Sequence, residues 1–95
     1  MKKINEFMLR EIAGEFVAVP VGAATQNFNG MITMTETAAF LYEHIEEAGS
    51  FQELIDLLRS EYEVDEETAG RDVVYLINQM LQMGMIALSD PGRNW

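Results

Sequence analysis

Gly30-Met31-Ile32-Thr33-Met34-Thr35-Glu36-Thr37-Ala38-Ala39 is the stretch whose reading decides the fold, because a short apolar strand runs there directly into a helix. Met31 to Met34 fit a strand, and the third strand is expected over Gly30 to Met34. Thr35 is a good N-cap, since its hydroxyl can accept a hydrogen bond from a free amide in the first turn of the helix. The helix must then leave from the end of the strand and fold back across the sheet to which the strand belongs. If that strand lies at the sheet's edge, its unpaired backbone groups are open to another chain.

On the N-terminal side, Phe7 to Ile12 and Glu15 to Val19 form a predicted hairpin. Phe16-Val17-Ala18-Val19 is rich in strand formers, and Gly14 suits a turn position with positive φ. Ala13 is a weak type I′ residue, so the loop type stays open. Pro20 has no amide to give to a ladder and closes the second strand. Val21 to Asn29, with Gly22, Asn27 and Asn29, is expected as a loop; it matches neither a P-loop nor a GxGxxG pattern.

On the C-terminal side, helix one is expected from about Glu36 to Ala48. Ala38, Leu41, Tyr42, Ile45 and Ala48 recur on one face, and Gly49 is its C′ candidate. Ser50-Phe51-Gln52-Glu53 reads as a capping box for helix two, which runs to about Tyr62. Asp65 caps helix three, with Glu66 and Glu67 in its first turn favourable to the helix dipole. Helix three ends near Met83, with Gly84 at C′, and Met85 to Leu88 suit a short extended segment. Asp90 to Trp95 reads as a tail.

Helix three is the most informative element. Met83, Leu76, Ala69, Met80, Val73, Ile77, Leu81 and Val74 cover an arc of about 180° on a helical wheel. A single core needs a stripe of about 100° or slightly more. Either the helix is sandwiched by its own domain or one flank waits for a partner.

The 95 residues make one domain, which buries roughly 60–65% of its unfolded surface. A core over about residues 7–88 and a tail over 89–95 are expected. Cysteine is absent, which excludes disulfides and thiolate metal sites and suits a reducing compartment. Sixteen acids against six basic residues give a net charge of −10, which disfavours nucleic acid and anionic membranes. The N-terminus has no signal-peptide core and no segment is long enough to span a membrane, so a cytoplasmic protein is expected.

No catalytic constellation stands out. The single histidine, His44, has no orienting group or oxyanion site placed by the sequence and reads as a packed or surface residue. Glu61, Glu63, Asp65, Glu66 and Glu67 lack EF-hand spacing, and helix capping already accounts for the last three. No metal and no cofactor is expected. Seven methionines include Met80, Met83 and Met85 in one cluster and Met31 and Met34 on the third strand; methionine more often fills core gaps, but the two groups also suit the borders of one groove.

The order of three strands and three helices defines an α+β class, a winged helix-turn-helix-like fold with a three-stranded antiparallel sheet followed by three helices. Ile12 to Pro20, Asn29-Gly30-Met31-Ile32 and Glu36-Thr37-Ala38-Ala39-Phe40-Leu41-Tyr42 resemble the PqqD family, the peptide-recognition elements of ribosomal peptide natural-product pathways. Asp72-Val73, Leu76, Met80 and Gly84-Met85-Ile86 resemble that family's closing helix and its terminal Gly-hydrophobic pair. Thr35 stands where the family usually has Asn, and Tyr42 where Trp is frequent; both changes are physically mild, since Thr still caps and Tyr still fills space.

The resemblance implies a non-catalytic chaperone. It implies that a precursor's leader adds as a strand to the third strand, beside the third helix, and is presented to a modifying enzyme, often a radical S-adenosylmethionine (radical SAM) enzyme. The edge from Asn29 to Thr33 and the broad arc of helix three fit that picture. Gly30, Met31, Ile32 and Thr33 are the candidates for backbone pairing. Asp72, Tyr75, Leu76 and Gln79 are the candidates for the helix wall, and Val74, Asn78 and Leu81 form the alternative flank. Acidic residues would select a basic or neutral leader. An open edge can also pair with a second copy, giving a homodimer. The competing function is a winged-helix transcriptional regulator, for which helix three offers only Arg71 as a basic residue.

Overall fold

The computed structural model describes residues 1–26, 28 and 30–88. The expected tail, together with Asn27 and Asn29 of the loop and strand edge, lies outside them. The elements are β1 (Lys2–Lys3), β2 (Phe7–Ile12), β3 (Glu15–Pro20), a 3₁₀ turn at Gly22–Gln26, β4 (Ile32–Met34), α1 (Glu36–His44), α2 (Phe51–Glu61), α3 (Glu66–Gln82) and β5 (Ile86–Ala87). Strands β2, β3 and β4 form the expected antiparallel sheet in that order, so β4 is an edge. The 3₁₀ turn occupies part of the segment expected as plain loop.

The hairpin is closed by two residues. Ala13 (φ 54°) and Gly14 (φ 83°) both take positive φ, as a type I′ turn requires, so the alanine bears the strain. Along the sheet, Phe7, Leu9, Phe16, Ala18, Ile32 and Met34 share one face by register, and that face meets the helices.

Each helix starts as its sequence dictates. Thr35, Ser50 and Asp65 accept bonds from the amides of Ala38 (3.1 Å), Glu53 (3.2 Å) and Thr68 (3.3 Å). The box at Ser50 is shifted by one residue: the Glu53 carboxylate takes the amide of Gly49 at 2.7 Å instead of that of Ser50. Helix α1 stops at His44, short of the expected Ala48, and Gly49 is not in the left-handed region. Glu46 and Glu47 would sit at the negative end of the helix dipole. The chain instead tightens, with Ile45 donating to Tyr42 and Glu47 to His44. Ile45 and Ala48 are nonetheless buried.

Helix α3 ends in a Schellman motif. The amide of Met85 reaches Met80 at 3.0 Å, that of Gly84 reaches Leu81 at 3.2 Å, and Gly84 has φ 76°. The next residues, Ile86 and Ala87, pair with Lys3 and Lys2 in a second, two-stranded sheet. This pairing ties residues ahead of Phe7 to the end of the chain's described part. Met1 is buried in the core, and the Lys3 ammonium lies 4.7 Å from the centroid of the buried Tyr42 ring. Two consecutive lysines carry no strand signal of their own; their conformation comes from β5, at the other end of the described chain.

Candidate functional site

The free edge of β4 can be worked out from hydrogen-bond parity. A two-residue hairpin makes its closing residues, Ile12 and Glu15, a hydrogen-bonded pair. Alternation then directs the backbone groups of Glu15, Val17 and Val19 towards β2. The amide of Val21, bonded to the carbonyl of Glu6 at 3.0 Å, continues the same parity. Phe16 and Ala18 therefore point towards β4, where they face Met34 and Ile32. Thr33, opposite Val17, turns its N–H and C=O away from the sheet.

Parity also explains the length of β4. In the same register Pro20 falls opposite Gly30, at a position whose amide would have to bond β4, and proline has none. The ladder stops at Ile32, two residues later than the expected Gly30. Of the four residues expected to offer backbone groups, Thr33 does so within the strand. Met31 has the same parity just before it, the groups of Ile32 are used by β3, and Gly30 (φ 81°) lies ahead of the strand.

Beside this edge runs a cleft of about 290 Å³. It is lined by Ile32, Thr33, Met34 and Thr35, by Ala38 of α1, by Tyr75, Leu76, Gln79 and Met80 of α3, and by Met83 and Met85. Its deep part is apolar, since Met34, Ala38, Leu76, Met80 and Met85 are all buried. Tyr75 and Met83 form an exposed rim, and the Gln79 amide donates to the Tyr75 hydroxyl at 3.0 Å.

Ile32, Thr33, Tyr75, Leu76 and Gln79 thus line one cleft. Asp72 shares their side of α3 but lies exposed outside the cleft, and Met31 and Gly30 do not line it either. Val74 and Asn78 face the other way, onto a surface shared with Ile55 of α2. Leu81 is half-buried against the core. The cleft is also lined by Met34, Thr35, Ala38, Met80, Met83 and Met85, which are not among the candidates. The two methionine groups were the signal for four of them; Met31 does not join them.

The wide arc of α3 resolves into two parts. Ala69, Val73, Leu76, Ile77 and Met80 are buried and span about 100°, a normal core stripe. Met83 (39% exposed) stands on the β4 flank and Val74 (48%) on the opposite one.

A second depression, of about 430 Å³, lies among Phe16, Phe40 and Tyr62 with Glu36, Glu43 and Glu61 around it. Burial, then hydrogen bonding and charge from Glu36, then the charges of Glu61 and Glu43 push the Tyr62 hydroxyl pKa up. It borders no free strand edge. His44 is half-buried, hydrogen-bonded to Glu47 and packed on the Phe40 ring at 4.6 Å.

An open edge strand beside an apolar, helix-walled cleft defines a class of domain built to take up an extended chain. Residues 15–86 match the family described as coenzyme PQQ synthesis protein D (PqqD), and the chain belongs to that family. No curated protein matches it. Two solved structures share its fold. TbiB1, in complex with the TbiA(beta) leader peptide, superposes with a TM-score of 0.65 at 19% identity, over 95% of this chain and all of that one. A lasso peptide synthetase B1 complexed with its leader peptide gives 0.66 at 21% identity, over 92% of this chain and 96% of the other.

Proposed function

We propose that this protein binds the leader of a ribosomally made precursor peptide by strand addition to β4 and presents it to a modifying enzyme, with no catalysis of its own. The observation that carries the reading is the coincidence of a free Thr33 N–H and C=O with an apolar cleft directly beside them. A leader residue paired with Thr33 takes two main-chain bonds. Its two neighbours, opposite Ile32 and Met34, turn their side chains into the cleft, where Leu76, Met80 and Met83 receive them. Main-chain bonds supply affinity and the cleft supplies selection. Tyr75 and Gln79 close the rim.

The two structural relatives, each with a leader peptide bound, support this assignment. So does membership of the PqqD family. A radical SAM enzyme is the partner we assign, and the cytoplasm the compartment. The transcription-factor alternative has no support: the exposed face of α3 carries Glu66, Glu67 and Asp72 against Arg71 alone. Among the described residues no helix is long and apolar enough to cross a membrane.

Titrating the labelled protein with the precursor encoded beside its gene tests the proposal. The amides of Thr33 and its neighbours should shift with one-to-one saturation. A folded protein that binds no neighbouring precursor refutes it.

A further inference from the structure

The second flank of α3 is not used by the cleft. Val74 and Tyr75 (62% exposed) meet Ile55 of α2 there, forming with Gly70 and Asn78 a shallow shelf of about 650 Å³. Gly70 lies on its floor beside Ile55, whose Cδ1 atom is an ordinary van der Waals distance, 3.7 Å, from the place a Cβ would occupy. Charges of both signs border the shelf, Glu66 and Glu67 at the start of α3 and Arg71 one turn on. Among the described residues none of the three is in an ion pair. Tyr75 lines the shelf and the cleft alike.

The shelf differs from the cleft in what it can hold. Around Val74 and Ile55 it lies between mid-helix turns whose backbone groups are satisfied internally, so an extended peptide finds no main-chain partners there. A preformed surface, bringing side chains only, loses nothing by that.

We propose that the shelf is a second docking face, taken by a folded protein that sets an aliphatic side chain on Val74 and Ile55. Lysine or arginine beside that side chain meets Glu66 and Glu67, and a carboxylate meets Arg71. Resting on the reading above, this partner is the enzyme to which the leader is presented. The charge of −10 steers a basic surface towards the protein, and the two-signed border fixes its orientation. Because Tyr75 belongs to both surfaces, an enzyme seated on the shelf sits one side chain away from the bound leader. Any coupling between the two ligands is then reciprocal, each changing the affinity for the other by the same factor.

The test uses the full chain, the precursor of its gene neighbourhood and the purified modifying enzyme encoded there. Val74→Glu places a charge on the shelf, and Glu67→Lys reverses the border. Both are exposed positions outside the cleft. Each variant should bind the leader within twofold of the native protein and lose tenfold or more in affinity for the enzyme. Val74→Ile should keep both. Enzyme affinity unchanged in both charged variants overturns the shelf, as does a native protein that binds leader but no enzyme. A native protein that binds no leader overturns the underlying reading instead. Should Val74→Glu lower the melting temperature markedly, Glu67→Lys carries the test alone. A dimer in sedimentation that Val74→Glu dissociates assigns the shelf to a second copy and also refutes the proposal.

Discussion

Proline at position 33 and proline at position 32 should have opposite effects, although the two residues are adjacent. Thr33 turns its amide outward, so Thr33→Pro removes no bond of the β3–β4 ladder. The residue before it, Ile32, is already extended, as a residue preceding proline prefers. The fold should survive. The bound leader, however, loses the donor for one of its carbonyls and meets the proline ring at that point. A buried carbonyl left without its donor costs about 1–3 kcal/mol, which is roughly a five- to 150-fold rise in Kd. Ile32→Pro instead deletes an amide used by β3, and it should cost about 1–3 kcal/mol of folding stability. Each kcal/mol lowers Tm by about 4–8 °C in a domain of this size. Fluorescence anisotropy with a labelled leader reads the first effect and thermal melting the second. A Thr33→Pro protein that melts like the native one and binds leader equally well would refute strand addition at β4. A Thr33→Pro protein that unfolds while Ile32→Pro does not would refute the parity.

Other outcomes follow from the same structure. Ala13→Asn should stabilise the hairpin, since asparagine tolerates the left-handed conformation that costs alanine about 1 kcal/mol, and urea midpoints will show it. Gly84→Ala should destabilise by about 1–2 kcal/mol: φ is 76°, and the new methyl would stand 3.4 Å from Cζ of Phe28. The Asp65 carboxyl is held below its usual pKa, first by a hydrogen bond from the Thr68 side chain and further by backbone bonds and the charge of Arg71. Its folded pKa is the lower one, so its contribution is present above the unfolded value, about 3.9, and is lost as pH falls through the folded value. The advantage of the native protein over Asp65→Ala should therefore be full at pH 7 and shrink as the pH is taken below the ordinary carboxylate range in parallel urea titrations.

Much of this architecture is legible in local chemistry. Thr35, Ser50, Asp65 and Gly84 mark helix ends because capping and positive φ depend on neighbours within a few residues. The face of each helix follows from spacing alone. The misreadings in the two sheets share a cause, which is that the deciding partner is distant in sequence. Lys2 and Lys3 become a strand only because Ile86 and Ala87 are there to pair with. The start of β4 is set by Pro20 across the sheet, so Gly30 and Met31 looked like strand when read by themselves. The cleft was half visible: the excess arc of α3 showed that two flanks were in play. Which one faced β4 required the strand's position. Asp72 illustrates the limit, for it shares the correct side of the helix yet lies outside the cleft.

The missing amide of Pro20 has a consequence for the protein's survival in a crowded cell. Exposed sheet edges invite indiscriminate joining, and a long one seeds insoluble fibres. Here the edge is three residues long, bounded by proline's effect at one end and the Thr35 helix start at the other. Thr33 alone within it has both main-chain groups to spare. A passing strand gains about two hydrogen bonds from it, each worth about 1 kcal/mol, which is too little to hold the strand. Only a chain that also fills the methionine-lined cleft gains enough to stay. On the proposed function, the shortness that makes the edge a poor polymerisation seed also makes it a selective receptor.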